Sequence, residues 1–197
     1  LTAEQIQKNW DKLISIVEDT FEGDRKDNIL NMYEYFKERA MFAPASGVVY
    51  YHNAWPGGYV DHILNITKYS KKIYKMWKKM GAHTDEYNLE SVIFCALHHD
   101  LGKLGDLTED YYVPNESEWH RINQGTMYNY NDKLHYMTVT DRAVYLLNHF
   151  NIPMTEVEYL ALRLTDGMYE EANKGYLMGF GEGKNLKTNL PLILHQA

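Results

Sequence analysis

The chain reads as an all-α helical bundle, on three observations. Apolar residues recur at helical spacing through most of its length. Thr-x-x-Gln, Thr-x-x-Asp and Thr-x-x-Glu starts stand before three of those runs. No alternating strand pattern is convincing, except over Val48 to Tyr51. With 197 residues the chain suits one domain with a substantial core. The expected organisation is a pair of N-terminal helices over residues 1–40, packed on one globular unit over 41–197.

Thr2-x-x-Gln5 opens the first helix as a capping box, followed by Ile6, Trp10, Leu13, Ile14 and Val17. Gly23-Asp24 breaks it, and Ile29, Leu30, Tyr33 and Phe36 mark a second helix. Residues 41–58 carry Pro44, Pro56, Gly47, Gly57 and Gly58 and read as a loop. A helix over 59–80 follows, with Ile63, Ile66, Ile73, Trp77 and Met80 on its apolar face. Residues 88–100 form the next, through Leu89, Val92, Ile93, Ala96 and Leu97. Residues 102–134 hold few periodic apolar positions and read as a long, partly ordered loop. Thr138-x-x-Asp141 and Thr155-x-x-Glu158 start two more helices, with faces Ala143, Leu147, Phe150 and Val157, Leu160, Ala161, Leu164. A Gly-rich stretch at 175–183 precedes a last apolar run, Leu190 to Leu194.

Net charge is −7, with 17 Tyr and one Cys. An acidic chain lacks the basic stripe that a long nucleic acid requires, but a short oligonucleotide or a nucleotide stays open. The run Lys68, Lys71, Lys72, Lys75, Lys78, Lys79 is the one basic patch and reads as a solvated helix face. Cys95 sits in an apolar run, so burial is expected, and a single Cys suits a reducing compartment such as the cytoplasm. No apolar run reaches the length of a membrane span and no signal peptide is present.

The chemistry-bearing feature is Ala96-Leu97-His98-His99-Asp100-Leu101-Gly102-Lys103. An imidazole and a carboxylate side by side at the end of a buried helix can grip one divalent metal. Gly102 is a natural helix stop. A further ligand is sought at His62, on the edge of the buried face of the 59–80 helix; the alternative is a hydrogen-bonded core or surface histidine.

His62, then His99-Asp100 with the trailing Leu-Gly-Lys, resembles the HD superfamily of metal-dependent phosphohydrolases. Ala43-Pro44-Ala45-Ser46, Tyr51-His52-Asn53-Ala54 and Gly57-Gly58 before His62 resemble the subgroup with 3′–5′ exoribonuclease HD domains. The likeness covers about residues 41 to 197. It implies an HD-type bundle around a metal held by His62, His99 and Asp100, and hydrolysis of a phosphoester or phosphoanhydride by a metal-activated water. Mn, Fe, Co, Ni or Zn suits such ligands, Mg less naturally.

The family pattern wants one more carboxylate. Asp166 ends its helix before Gly167 and is one reading; it could instead donate a proton to the leaving group. In the other, Leu192 to Ala197 resembles the approach to the distal metal Asp, which would follow Ala197. Lys103 is a candidate for contacting phosphate, and His52 for binding phosphate or protonating a leaving group. Arg121 and His135 are candidate substrate-binding residues beside the long loop; Trp119, Tyr128 and Tyr130 stack on a base or simply pack. Three functions follow: hydrolysis of a nucleotide or related small phosphoester, 3′–5′ exonuclease action on short RNA or DNA, or a non-catalytic metal-stabilised binding module.

Overall fold

A computed structural model describes residues 1–179, 183 and 186–197. In chain order the helices are α1 (Ala3–Thr20), α2 (Gly23–Tyr35), α3 (Lys37–Phe42), α4 (Gly58–Lys79) and α5 (Leu89–His98). Strand β1 (Tyr112–Pro114), helix α6 (Glu118–Gln124) and strand β2 (Tyr128–Tyr130) follow. The chain ends with α7 (Val139–His149), α8 (Glu156–Arg163), α9 (Lys174–Leu177) and α10 (Leu190–His195). The described chain is mostly helical, as its periodicity predicts.

Helix starts match their local chemistry. Thr2 Oγ1 accepts the Gln5 N–H while Gln5 Oε1 accepts the Thr2 N–H, and Thr155 and Glu158 repeat the arrangement. Thr138 caps α7 through the Asp141 N–H. No helix among the described residues is long and apolar enough to cross a membrane.

The expected loop over 102–134 is largely ordered. Leu101–Leu104 form a 3-10 turn, and β1 pairs antiparallel with β2 in the register Tyr112↔Tyr130, Val113↔Asn129, Pro114↔Tyr128. Strands of three residues are too short to show an alternating pattern, so only the non-local pairing reveals them. The suspected strand at Val48 to Tyr51 reduces to one bridge, Val48 to Thr126. The end of the 59–80 helix also differs from expectation: Met80 lies outside α4 and is exposed.

The backbone groups into two compact units, described separately. The first comprises Leu1–Asn65 with Asp100–Pro153. Its core holds Leu13, Val17, Phe21, Ile29, Met32, Tyr33 and Phe36 from the N-terminal helices, with Tyr59, Ile63, Leu101, Leu104 and Leu147. The 3-10 turn lies hard against α7, because a Cβ on Gly102 would come 2.1 Å from the Val139 carbonyl oxygen. Close backbone approach, more than a helix stop, demands glycine there.

The second unit comprises Ile66–His99 with Met154–Ala197. Helix α5 is buried from Ser91 to His98 and packs with α8 and α10. Cys95 is buried, as expected, and its thiol reaches the Glu158 carbonyl. Part of the Gly-rich stretch expected at 175–183 lies outside the described residues.

Candidate metal centre

The centre is built in the first unit from the 43–57 loop, the start of α4 and the turn after α5. The loop is held in shape by short-range bonds. Asn53 adopts φ +49°, and its carbonyl accepts the Ala45 N–H at 3.0 Å. Its side-chain amide donates to the Gly58 carbonyl at 3.3 Å and to Asp61 Oδ2 at 3.0 Å. A Cβ on Gly58 would meet the Asn53 carbonyl oxygen at 2.0 Å, so the loop closes on α4 only with glycine there. The far side is pinned to the start of β2, where Met127 and Tyr128 N–H groups donate to the Gly47 carbonyl at 2.9 and 3.1 Å.

This folding stacks His52 on His62, with ring centroids 4.3 Å apart and planes 28° from parallel. His62 Nε2 lies 3.3 Å from Asp100 Oδ2. Donor atoms of His52, His62 and Asp100 all fall within 4.8 Å of one another, and this triad could hold a metal ion. Two imidazoles and a carboxylate suit a borderline divalent cation, so the donor set fits the ion that the sequence implies.

Lys103 is no solvated helix-end lysine. Its side chain is 14% exposed, and Nζ donates to Asp100 Oδ2 at 2.7 Å and to the Ala45 carbonyl at 2.8 Å. A nearly buried carboxylate is costly without compensating charge, and Lys103 supplies it. The same contact ties the turn after α5 to the 43–57 loop.

At the start of α4, Tyr59 is fully buried, and its hydroxyl has no hydrogen-bond partner among the described residues. Burial raises its pKa well above that of a free phenol, and the charges of Tyr33 and Asp100 add to the shift. Lys103 lines a cavity of about 480 Å³ with Tyr111, Tyr112, Tyr128 and Pro44, and with Glu38, Arg39 and Asp110. Burial pushes Tyr111 up to about 12, with Tyr130 adding to the rise and Arg142 opposing it.

The other sequence candidates make the following contacts. His99 is not a member of the three-donor group; its Nδ1 lies 2.9 Å from the Ala96 carbonyl, within the second unit. Asp166 is exposed on that unit and leads into the 3-10 turn Gly167–Tyr169. Arg121 donates to the Asn115 carbonyl at 2.7 Å, which ties α6 to its own loop. His135 lines a separate cavity with Tyr111 and Arg142. His52 was expected to meet substrate, and its place among the donors was missed. The pairing of its ring with His62 depends on the Asn53 turn, which no spacing rule reports.

No family model matches the chain, and neither a curated protein nor a solved structure matches it significantly.

Proposed function

We propose that this chain is a metal-dependent phosphohydrolase of HD type, acting on a nucleotide or a related small phosphoester in the cytoplasm. The observation that carries the reading is the convergence of His52, His62 and Asp100 beside Lys103 and its tyrosine-walled cavity.

His52, His62 and Asp100 would hold the ion. A bound divalent ion supplies Lewis acidity and a water acidic enough to react at neutral pH. Lys103 Nζ holds the Asp100 carboxylate in place, and Lys103 lines the cavity, where a phosphoryl group would gain a positive neighbour. Tyr111, Tyr112 and Tyr128 offer flat apolar walls for a planar ring. The cavity can enclose one small ligand but not a folded nucleic acid.

The test is metal-stripped protein reloaded with Mn²⁺, Co²⁺, Ni²⁺, Zn²⁺ or Mg²⁺ and given mononucleotides, dinucleotides and a 5′-labelled oligoribonucleotide. Metal-dependent release of phosphate or of a nucleoside monophosphate from the small substrates, lost in Asp100→Ala, is the expected result. Stepwise shortening of the oligomer alone would replace it by the exonuclease reading. Tight metal binding without turnover of any substrate would leave a binding module.

A further inference from the structure

We infer a second ligand site, for a phosphate or carboxylate group borne on an aromatic body, at Arg142. It stands apart from the metal centre and does not depend on the phosphohydrolase reading.

Arg142 is 4% exposed, yet it makes no ion pair among the described residues. One terminal nitrogen donates to the His135 carbonyl at 2.7 Å, and Nε has no partner. Arg142 sits near the start of α7, where the helix dipole is positive and Asp141 is the acidic residue of the first turn. Asp106 feels the charge of Arg142, but that carboxylate is committed to the N–H groups of Thr108 and Glu109. A buried guanidinium of this kind is costly unless an anion joins it.

The surroundings offer room for one. Arg142 lines a cavity of about 480 Å³ with Tyr111, Tyr130, Tyr136, His135 and Asn131. Tyr111 and Tyr130 meet edge to face at 5.4 Å between centroids, and Tyr136 is 95% exposed at the entrance. A guanidinium and phenol rings lining one cavity suit an anionic group on a flat ring. Tyr111 also walls the cavity beside Lys103. The anion could therefore be a remote group of the substrate itself or a separate effector.

The experiment uses the full chain in chelator, so that the metal centre takes no part. Phenyl phosphate and inorganic phosphate are titrated by calorimetry. Wild type should bind phenyl phosphate, and Arg142→Gln should weaken it at least about tenfold, the loss of one charge-assisted contact. Tyr130→Leu should weaken phenyl phosphate while leaving inorganic phosphate unchanged. Undiminished binding in Arg142→Gln, or no binding by wild type, would overturn the site. Should Arg142→Gln not fold, the Arg142 Nε–H resonance of wild type, identified by its absence in Arg142→Lys, decides: a shift on titration supports the site and a fixed signal refutes it. With metal and a hydrolysed substrate present, competitive inhibition by phenyl phosphate that Arg142→Gln abolishes assigns the anion to the substrate. Binding without competition assigns it to an effector.

Discussion

Asp100 and Asp166 look alike in the sequence. Each follows an apolar helix and precedes a glycine by one or two residues. In the structure they have little in common. Asp100 is buried and takes Lys103 and His62 on the same carboxylate oxygen. Asp166 is exposed, and the glycine after it packs on His195 in the second unit. Their glycines differ as well. Gly102 is required by the Val139 backbone, whereas Gly167 is required by its own φ of +55° and by the His195 ring. A carboxylate at a helix end becomes a binding group where other elements surround it with donors and a compensating cation. The helix end alone does not make it one.

The comparison breaks most visibly on metal binding. Asp100→Ala should weaken divalent metal by more than the roughly 10- to 100-fold that loss of an outer-shell partner costs. Asp166→Ala should keep wild-type metal content. Elemental analysis after dialysis checks both, and equal loss in the two variants would erase the distinction.

Stability separates the glycines next. Gly102→Ala forces backbone against backbone and should cost about 3 kcal/mol or more. Gly167→Ala meets a side chain that can turn away and carries mainly the left-handed penalty of about 1–2 kcal/mol. Urea melts of the two variants measure the difference, and a larger loss at Gly167 would contradict it.

Lys103 sharpens the point about compensation. Lys103→Met should lower turnover by the equivalent of about 2–4 kcal/mol, as for loss of a transition-state donor, while metal stoichiometry holds. An unchanged rate at saturating substrate would leave Lys103 only the task of clamping Asp100 to Ala45.

The smallest effects come from groups near these turns. Tyr59→Phe removes a buried hydroxyl without a partner and should change stability by less than about 1 kcal/mol in either direction. Burial alone would raise the pKa of Asp106, but the N–H groups of Glu109 and Thr108 outweigh it and hold the carboxyl below its usual range. A lowered folded pKa means that its contribution is present above the unfolded carboxylate pKa and fades as pH falls through the folded one. Stability of wild type and Asp106→Ala should therefore converge in acid, which melts at a series of pH values will show.

What was legible in the sequence is what short-range chemistry controls. Thr2, Thr138 and Thr155 cap their helices because a hydroxyl reaches a backbone N–H three residues on, and no other part of the chain is needed. Burial of Cys95 followed from the apolar run around it, and the mostly helical class from periodicity. His62 and Asp100 were named from residue type and spacing, and the structure brings them together. His52 entered the donor group only because Asn53 turns the loop back onto α4. The strand pair Tyr112–Pro114 and Tyr128–Tyr130, the packing that requires Gly102, and the burial of Arg142 had no local signal. Each depends on residues distant in sequence meeting in space. Hydrophobic periodicity says which face is buried, but tertiary packing alone decides which polar groups are buried with it and what stands opposite them.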